Sequence, residues 1–127
     1  MAIQIKTVER AQPGVKGGGK KKFYASPVHD KEISLDGLTR AIEKTSTVNG
    51  ADICAVLYAM VEEAVLGLSE GRIVRLGDLG SLRITLSSEG KDKAEEVTAS
   101  AVKRTGVIFT PGSKLKDMLN NAKFKKV

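Results

Sequence analysis

The sequence has few of the residues that enzymes and metal proteins rely on. It contains one cysteine, Cys54, one histidine, His29, and no tryptophan among 127 residues. A lone cysteine cannot form an internal disulfide, and no ligand-spaced cluster of His, Cys, Asp or Glu accompanies it. His29 has no partner for nucleophilic or acid–base catalysis, so we interpret it as a loop residue and Cys54 as a core residue. The sequence therefore predicts no enzyme activity, no metal, no cofactor and no small-molecule substrate.

Aromatic residues and long apolar runs are also scarce. Aromatics make up 4% of the chain, which disfavours single-strand binding by bases stacked on an aromatic platform. No apolar run is long enough to span a bilayer, and the alternating residues after Met1 are not those of a signal peptide. We therefore expect no membrane partner and a cytoplasmic protein, associated with the nucleoid if it binds DNA.

Positive charge is abundant and unevenly placed. The chain has 21 Lys and Arg against 15 Asp and Glu. Residues 1–33 carry 7 basic and 3 acidic side chains, residues 34–70 carry 2 and 6, and residues 71–127 carry 12 and 6. This distribution suggests one positive side that attracts phosphates. Solubility alone would explain the charge equally well.

The chain divides into an extension, a central domain and a tail. Residues 2–9 alternate as a strand does, glycines at 17–19 interrupt regular structure, and residues 23–28 fit a second strand. We interpret 1–33 as an N-terminal β-hairpin extension with a basic loop, 34–122 as the main domain and 123–127 as a C-terminal tail.

Helix signals follow the extension. Ser34 and Asn49 are good N-caps, Gly71 fits a left-handed C-cap, and Thr110 with Pro111 fits the start of a last helix. The apolar surface of the second helix covers more than half its circumference, which predicts packing on two sides, most economically in a dimer. A helix buried inside a monomer is the alternative. The predicted interface residues are Ile53, Leu57, Met60, Val61, Val65, Leu79 and Leu82.

Strand signals surround a glycine turn with the sequence GDLG at 77–80. Residues 72–76 and 82–86 alternate as two strands, and residues 107–109 fit a return strand. The turn glycines give torsional freedom and permit close backbone approach.

Three motifs, in order, resemble the bacterial HU / integration host factor family of histone-like DNA-binding proteins. They are LGLSEGRIVRL at 66–76, LGDLGSL at 76–82 and FTPGSKLKD at 109–117, and the resemblance covers about residues 34–121. It implies an α+β fold: an intertwined homodimer with a helical base, a three-stranded antiparallel sheet and a β-arm that embraces double-stranded DNA. The hairpin extension suggests a divergent HU-related subgroup. The implied function is non-sequence-specific architectural binding to the phosphate backbone and minor groove, with DNA condensation.

The chain departs from the family pattern in the arm, which weakens the expected bending, and at the last helix. The family's arm carries a wedge proline that kinks the duplex, whereas residues 87–106 contain none, and their four basic and four acidic side chains cancel. Ser113 stands where the family has a lysine after Pro-Gly.

Candidate DNA contacts come from the sheet, the arm, the last helix and the basic loop. They are Arg72, Arg75, Gly77, Gly80, Ser81, Arg83, Lys91, Lys93, Lys103, Arg104, Lys114, Lys116, Lys20, Lys21 and Lys22. Solvated strand and loop positions are the alternative for these side chains. Two other functions stay open: a dimeric scaffold or protein-interaction module that has lost most DNA binding, and RNA binding.

Overall fold

The computed structural model describes residues 2–12 and 14–127, and within them it contains three α-helices and two three-stranded sheets. The elements in chain order are β1 Ile3–Arg10, β2 Lys22–Pro27, α1 Leu35–Thr45, α2 Gly50–Ser69, β3 Val74–Arg75, β4 Gly80–Ser88, β5 Val102–Pro111, α3 Ser113–Asn120 and β6 Phe124–Lys126. The predicted α+β class is confirmed. Within the described residues, no helix has the length and apolar character needed to traverse a bilayer.

The two ends of the chain form one sheet, in the order β2-β1-β6, which we call the terminal sheet. β1 and β2 are an antiparallel hairpin, and β6 runs parallel to β1 with Phe124 opposite Ile3. The backbone N–H of Ile3 donates to the carbonyl of Lys123 at 2.7 Å, and that of Val127 to the carbonyl of Ile5 at 3.0 Å. The residues interpreted as a tail therefore supply the third strand of the sheet begun by the N-terminal hairpin.

The second sheet, in the order β3-β4-β5, is antiparallel and is called the ribbon sheet below. Its long strands β4 and β5 pair from Gly80 opposite Pro111 to Ser88 opposite Val102. β5 is longer than the predicted return strand at 107–109. β3, in contrast, is shorter than the predicted strand at 72–76.

The predicted N-caps of α1 and α2 are confirmed. Ser34 Oγ accepts a hydrogen bond from the backbone N–H of Gly37 at 3.1 Å, and Asn49 Oδ1 accepts one from that of Asp52 at 3.0 Å. α2 ends as predicted at Gly71, whose φ is 76°. The Arg72 N–H donates to the Gly67 carbonyl at 3.0 Å, which closes a Schellman motif.

We expect Asn49→Ala to lower the free energy of unfolding by about 1 kcal/mol, because the Asp52 N–H loses its capping acceptor. Asn49→Ser, which keeps an acceptor, serves as the matched control and should stay near the wild type. Urea denaturation followed by circular dichroism measures both. Equal stability of the alanine and serine variants would show that the cap contributes nothing.

The predicted start of the last helix is wrong. Thr110 and Pro111 continue β5, pairing with Ser81 and Gly80, and Gly112 occupies the N-cap position. The strand ladder is favoured over the cap because β5 is an edge strand, where a proline without an N–H costs no ladder bond. α3 therefore begins at Ser113 without a side-chain cap.

The described chain has little buried apolar surface. Ile53 and Ala101, exposed by 6% and 3%, are the apolar residues that it buries. α1 packs on α2, with Thr39 buried and its hydroxyl donating to the Leu35 carbonyl at 2.8 Å. On the rest of α2, apolar side chains such as Val56 and Val65 remain 66% and 62% exposed.

Candidate nucleic-acid interface

The ribbon sheet has one apolar and one cationic face. Alternation along β4 and the β5 register place Leu82, Ile84, Leu86, Val107 and Phe109 on one face together with Val74. The opposite face contains Arg75, Ser81, Arg83, Thr85, Ser87, Arg104, Gly106, Ile108 and Thr110. None of these strand positions carries a carboxylate, so the second face combines guanidinium groups with hydroxyls.

Three arginines spread along this cationic face. Arg75 lies opposite Ser81, Arg83 follows on β4, and Arg104 lies opposite Ser87. Six residues of strand separate the two serines, which corresponds to about 20 Å. All three arginines are exposed. Backbone phosphates of a duplex could therefore meet cations along the length of this face.

Arg72 does not belong to this face. Its backbone N–H is used by the helix-ending motif, so β3 begins only at Val74. Its guanidinium forms an ion pair with Glu70 at 3.1 Å, with side chains 73% and 46% exposed. An ion pair this exposed contributes little to stability. The structure thus groups two of the three arginines predicted for the saddle and leaves Arg72 beside an acidic neighbour.

A small cleft lies where the glycine turn meets α3. Its volume is about 310 Å³, and its lining consists of Arg75, Gly77, Gly80, Ser81, Thr110, Pro111, Gly112 and Lys116. Two cations from distant parts of the sequence, Arg75 and Lys116, share this cleft. Lys114 is not among its lining residues.

The turn and the helix are joined by one backbone hydrogen bond and one side-chain hydrogen bond. The Gly112 N–H donates to the Leu79 carbonyl at 2.9 Å, and Ser113 Oγ donates to Asp78 Oδ1 at 3.3 Å. A side chain at Gly112 would strike the Asp78 carbonyl and the Gly80 backbone nitrogen. Because Asp78 is held by Ser113, this carboxylate has a partner on α3 beside the cleft.

Comparison with known proteins identifies the family of the chain. Residues 1–126 match the family model described as an HU domain fused to a winged helix-turn-helix, Ig or glycine-rich motif. The chain belongs to this HU-related family. The family model includes the terminal strands β1, β2 and β6 as well as the ribbon sheet, so the predicted recognition is confirmed.

A solved structure shares the fold. It is the crystal structure of a candidate bacterial DNA-binding protein from Bacteroides vulgatus ATCC 8482, with a TM-score of 0.67 and 16% identity. The match covers 100% of this chain and 49% of that protein, so the chain spans about half its length. No curated protein matches the sequence.

In this HU-family protein the end of the β4–β5 ribbon is a folded tip rather than a continued arm. Residues 89–101 contain two 3-10 turns, and the Glu89 N–H donates to the Ala101 carbonyl at 2.8 Å. Ala101 is 3% exposed, so the tip contains one buried apolar side chain. Lys91 pairs with Glu89 at 3.2 Å. The tip carries two lysines and four carboxylates, which makes it acidic.

A β-bulge separates the tip from the ribbon. The register shifts between Ser87 opposite Arg104 and Ser88 opposite Val102, which leaves Lys103 as the extra residue. Bulges bend a strand and redirect its side chains. Lys103 is therefore removed from the regular alternation, and Lys93 lies farther out on the acidic tip.

The basic loop belongs to the terminal sheet instead of the ribbon sheet. Lys20 and Lys21 are exposed just before β2, and Lys22 begins that strand. Sequence reasoning missed the hydroxyls of Thr85, Ser87 and Thr110 on the cationic face, although period-2 alternation could have indicated them.

The predicted dimer residues fall into two groups. Ile53 is buried within its own chain, so it contributes to the internal core and offers little surface to a partner. Four others remain largely exposed: Met60 at 42%, Val61 at 48%, Val65 at 62% and Leu79 at 48%. Leu57 and Leu82 are half-buried.

Proposed function

We propose that this HU-family protein binds double-stranded DNA without sequence specificity, as a homodimer with an architectural role at the nucleoid. The observation that carries the proposal is the ribbon-sheet face on which Arg75, Arg83 and Arg104 lie among hydroxyl groups with no carboxylate. Guanidinium and hydroxyl groups contact phosphate oxygens, and such contacts position a protein on DNA without reading the sequence.

The composition of the tip supports the proposal that the protein bends DNA only weakly. A kinked duplex requires an apolar wedge between base steps, and the tip at 89–101 has no proline and an acidic composition. Acidic groups at the end of the ribbon repel the phosphates that a groove-inserting arm would approach. DNA would therefore lie along the ribbon sheet with little deformation.

Exposed apolar surface supports the dimer. The described residues contain no large side chain that is fully buried, whereas a stable domain of this size needs a substantial core. The exposed side of α2 provides apolar side chains at Met60, Val61 and Val65. A second copy that covers this side would complete the missing core.

The proposed interface predicts a change in salt dependence. We expect the triple variant Arg75→Gln, Arg83→Gln and Arg104→Gln to reduce the magnitude of the slope of log affinity against log salt by about 3. The slope falls because three phosphate contacts are lost. Fluorescence anisotropy with a random-sequence duplex measures the slope. The matched control replaces three exposed cations outside both sheets, Lys31, Arg40 and Lys44, by glutamine. Equal slopes for the two variants would count against the ribbon-sheet face as the interface.

The scaffold alternative has support from charge. Residues 34–122 carry 11 basic and 12 acidic side chains, so the HU-like body has no positive excess. Absence of salt-dependent DNA binding by an intact dimer would favour the scaffold. Stronger binding to duplex RNA than to duplex DNA would favour the third function, since the minor groove of an A-form duplex is wide and shallow.

A further inference from the structure

The net positive charge of the protein resides on the two terminal segments that supply the strands of the terminal sheet. Residues 1–33 and 123–127, which supply β1, β2 and β6, carry ten basic and three acidic side chains. The HU-like body between them has a slight negative excess. Long-range attraction of a polyanion depends on summed charge, so the terminal sheet is the part of the chain that attracts one.

The register sorts the terminal sheet into an apolar and a cationic face. Ile3, Ile5, Ala25, Pro27 and Phe124 share one face, and together with Ser26 and Leu119 of α3 they line a hollow of about 520 Å³. The other face carries Gln4, Lys6, Val8, Arg10, Lys22, Tyr24, Ser26 and Lys125. The one carboxylate within these three strands, Glu9, is on the apolar side, and so is one further cation, Lys126. The cationic face therefore has four positive side chains and no strand carboxylate.

These four cations form a track. Lys125 lies opposite Gln4, Lys6 follows on β1, and Arg10 lies opposite Lys22. From Gln4 to Arg10 the strand rises about 20 Å, the length over which one DNA strand presents about six phosphates. Lys20 and Lys21, which directly precede Lys22 in the sequence, are also exposed.

The cations of the track are not neutralised by ion pairs. The two ion pairs found among the described residues, Arg72–Glu70 and Lys91–Glu89, both lie outside the terminal sheet. Asp30 lines a shallow hollow with Gln4 and Val28, at the end of the track away from Lys22. Tyr24 and Ser26 add hydroxyl donors between the cations.

We propose that the cationic face of the terminal sheet is a second contact surface for the phosphate backbone of duplex DNA, separate from the ribbon-sheet face. This inference rests on the proposed function, because it assigns an additional surface to the same ligand. The ribbon arginines align DNA on the HU-like body, while the terminal sheet supplies most of the electrostatic attraction. A linear track favours a linear polyanion over a compact acidic patch.

The test compares two double variants with identical charge changes. Lys6→Gln with Arg10→Gln removes one lysine and one arginine from the track, and Arg40→Gln with Lys44→Gln removes the same pair from α1. All four side chains are exposed. We expect the track variant to reduce the magnitude of the slope of log affinity against log salt by about 2. Its binding to a random-sequence duplex should weaken at least tenfold at low salt, whereas the α1 variant should stay near the wild type.

Each outcome separates the two proposals. Absence of duplex binding by the wild type overturns both the proposed function and this inference. Wild-type binding with equal salt slopes for the two variants overturns the inference alone. A track variant with unchanged DNA binding and altered self-association also overturns it, because the track would then contact the acidic tip of another copy. Circular dichroism checks folding. Lys22→Gln with Lys125→Gln, on the other two strands, repeats the measurement should the first variant fail to fold.

Discussion

Val65→Glu is expected to convert the proposed dimer into a monomer that is largely unfolded. Val65 is 62% exposed on α2 in the single chain, and the proposed dimer buries it. Loss of a buried valine and burial of an unpaired carboxylate together cost at least about 3 kcal/mol per copy. Two-fold symmetry applies this cost twice, so the dissociation constant should rise by more than about 10⁴-fold. Light scattering after size exclusion measures the mass.

A matched substitution distinguishes interface loss from a general effect of charge. Val97 on the tip is 54% exposed, close to the value for Val65. Val97→Glu should leave the mass and the melting temperature unchanged, because no partner is proposed to cover the tip. A monomeric wild type, or a Val65→Glu variant that remains dimeric, would contradict the proposed interface. Such a result would also remove the explanation for the exposed apolar side chains of α2.

Gly80→Ala is expected to destabilise the chain more than either of two related glycine substitutions. Gly80 has a φ of 149°, and an added Cβ would meet the Thr110 carbonyl and the Phe109 ring. Torsional strain and a backbone clash therefore act together, and we expect a loss of at least about 3 kcal/mol in the free energy of unfolding. Urea denaturation provides the measurement.

The other two glycine variants distinguish the cost of torsional strain from the cost of a steric clash. Gly77 has a φ of 63° and open space around an added Cβ, so Gly77→Ala should cost only about 1 kcal/mol. Gly112 has an ordinary φ of −87°, yet its Cβ would strike the 77–80 turn. Gly112→Ala should therefore cost more than Gly77→Ala. A Gly77→Ala variant as unstable as Gly80→Ala would show that the turn tolerates no torsional strain.

Short-range signals in the sequence were sufficient to predict the starts of α1 and α2 and the end of α2. The caps at Ser34 and Asn49 depend on a hydrogen bond that spans three residues, and the end of α2 at Gly71 depends on contacts within one turn. The interpretation of Thr110 as an N-cap was wrong, although its capping signal is equally local. Thr110 instead pairs with Ser81 in a ladder that forms between strands. Local chemistry therefore predicted a helix start two residues too early.

The sequence pattern did not predict contacts between residues that are far apart in the sequence. Nothing near Lys116 indicates that it shares a cleft with Arg75. The bulge at Lys103 and the buried Ala101 likewise depend on how the two ribbon strands are aligned. The sequence pattern identified cationic strands, but only the register shows that Arg75, Arg83 and Arg104 share a face that excludes Arg72.

Parallel pairing of β1 with β6 has a consequence for the order of folding. Phe124 and Ile3 are separated by about 120 residues of chain, so their pairing closes a loop that includes the whole HU-like body. Contacts of such long sequence separation form slowly and late. During synthesis, the edge of β1 that faces away from β2 would stay unpaired until residues 124–126 leave the ribosome. Completion of this sheet would thus be a late step in the folding of residues 1–127.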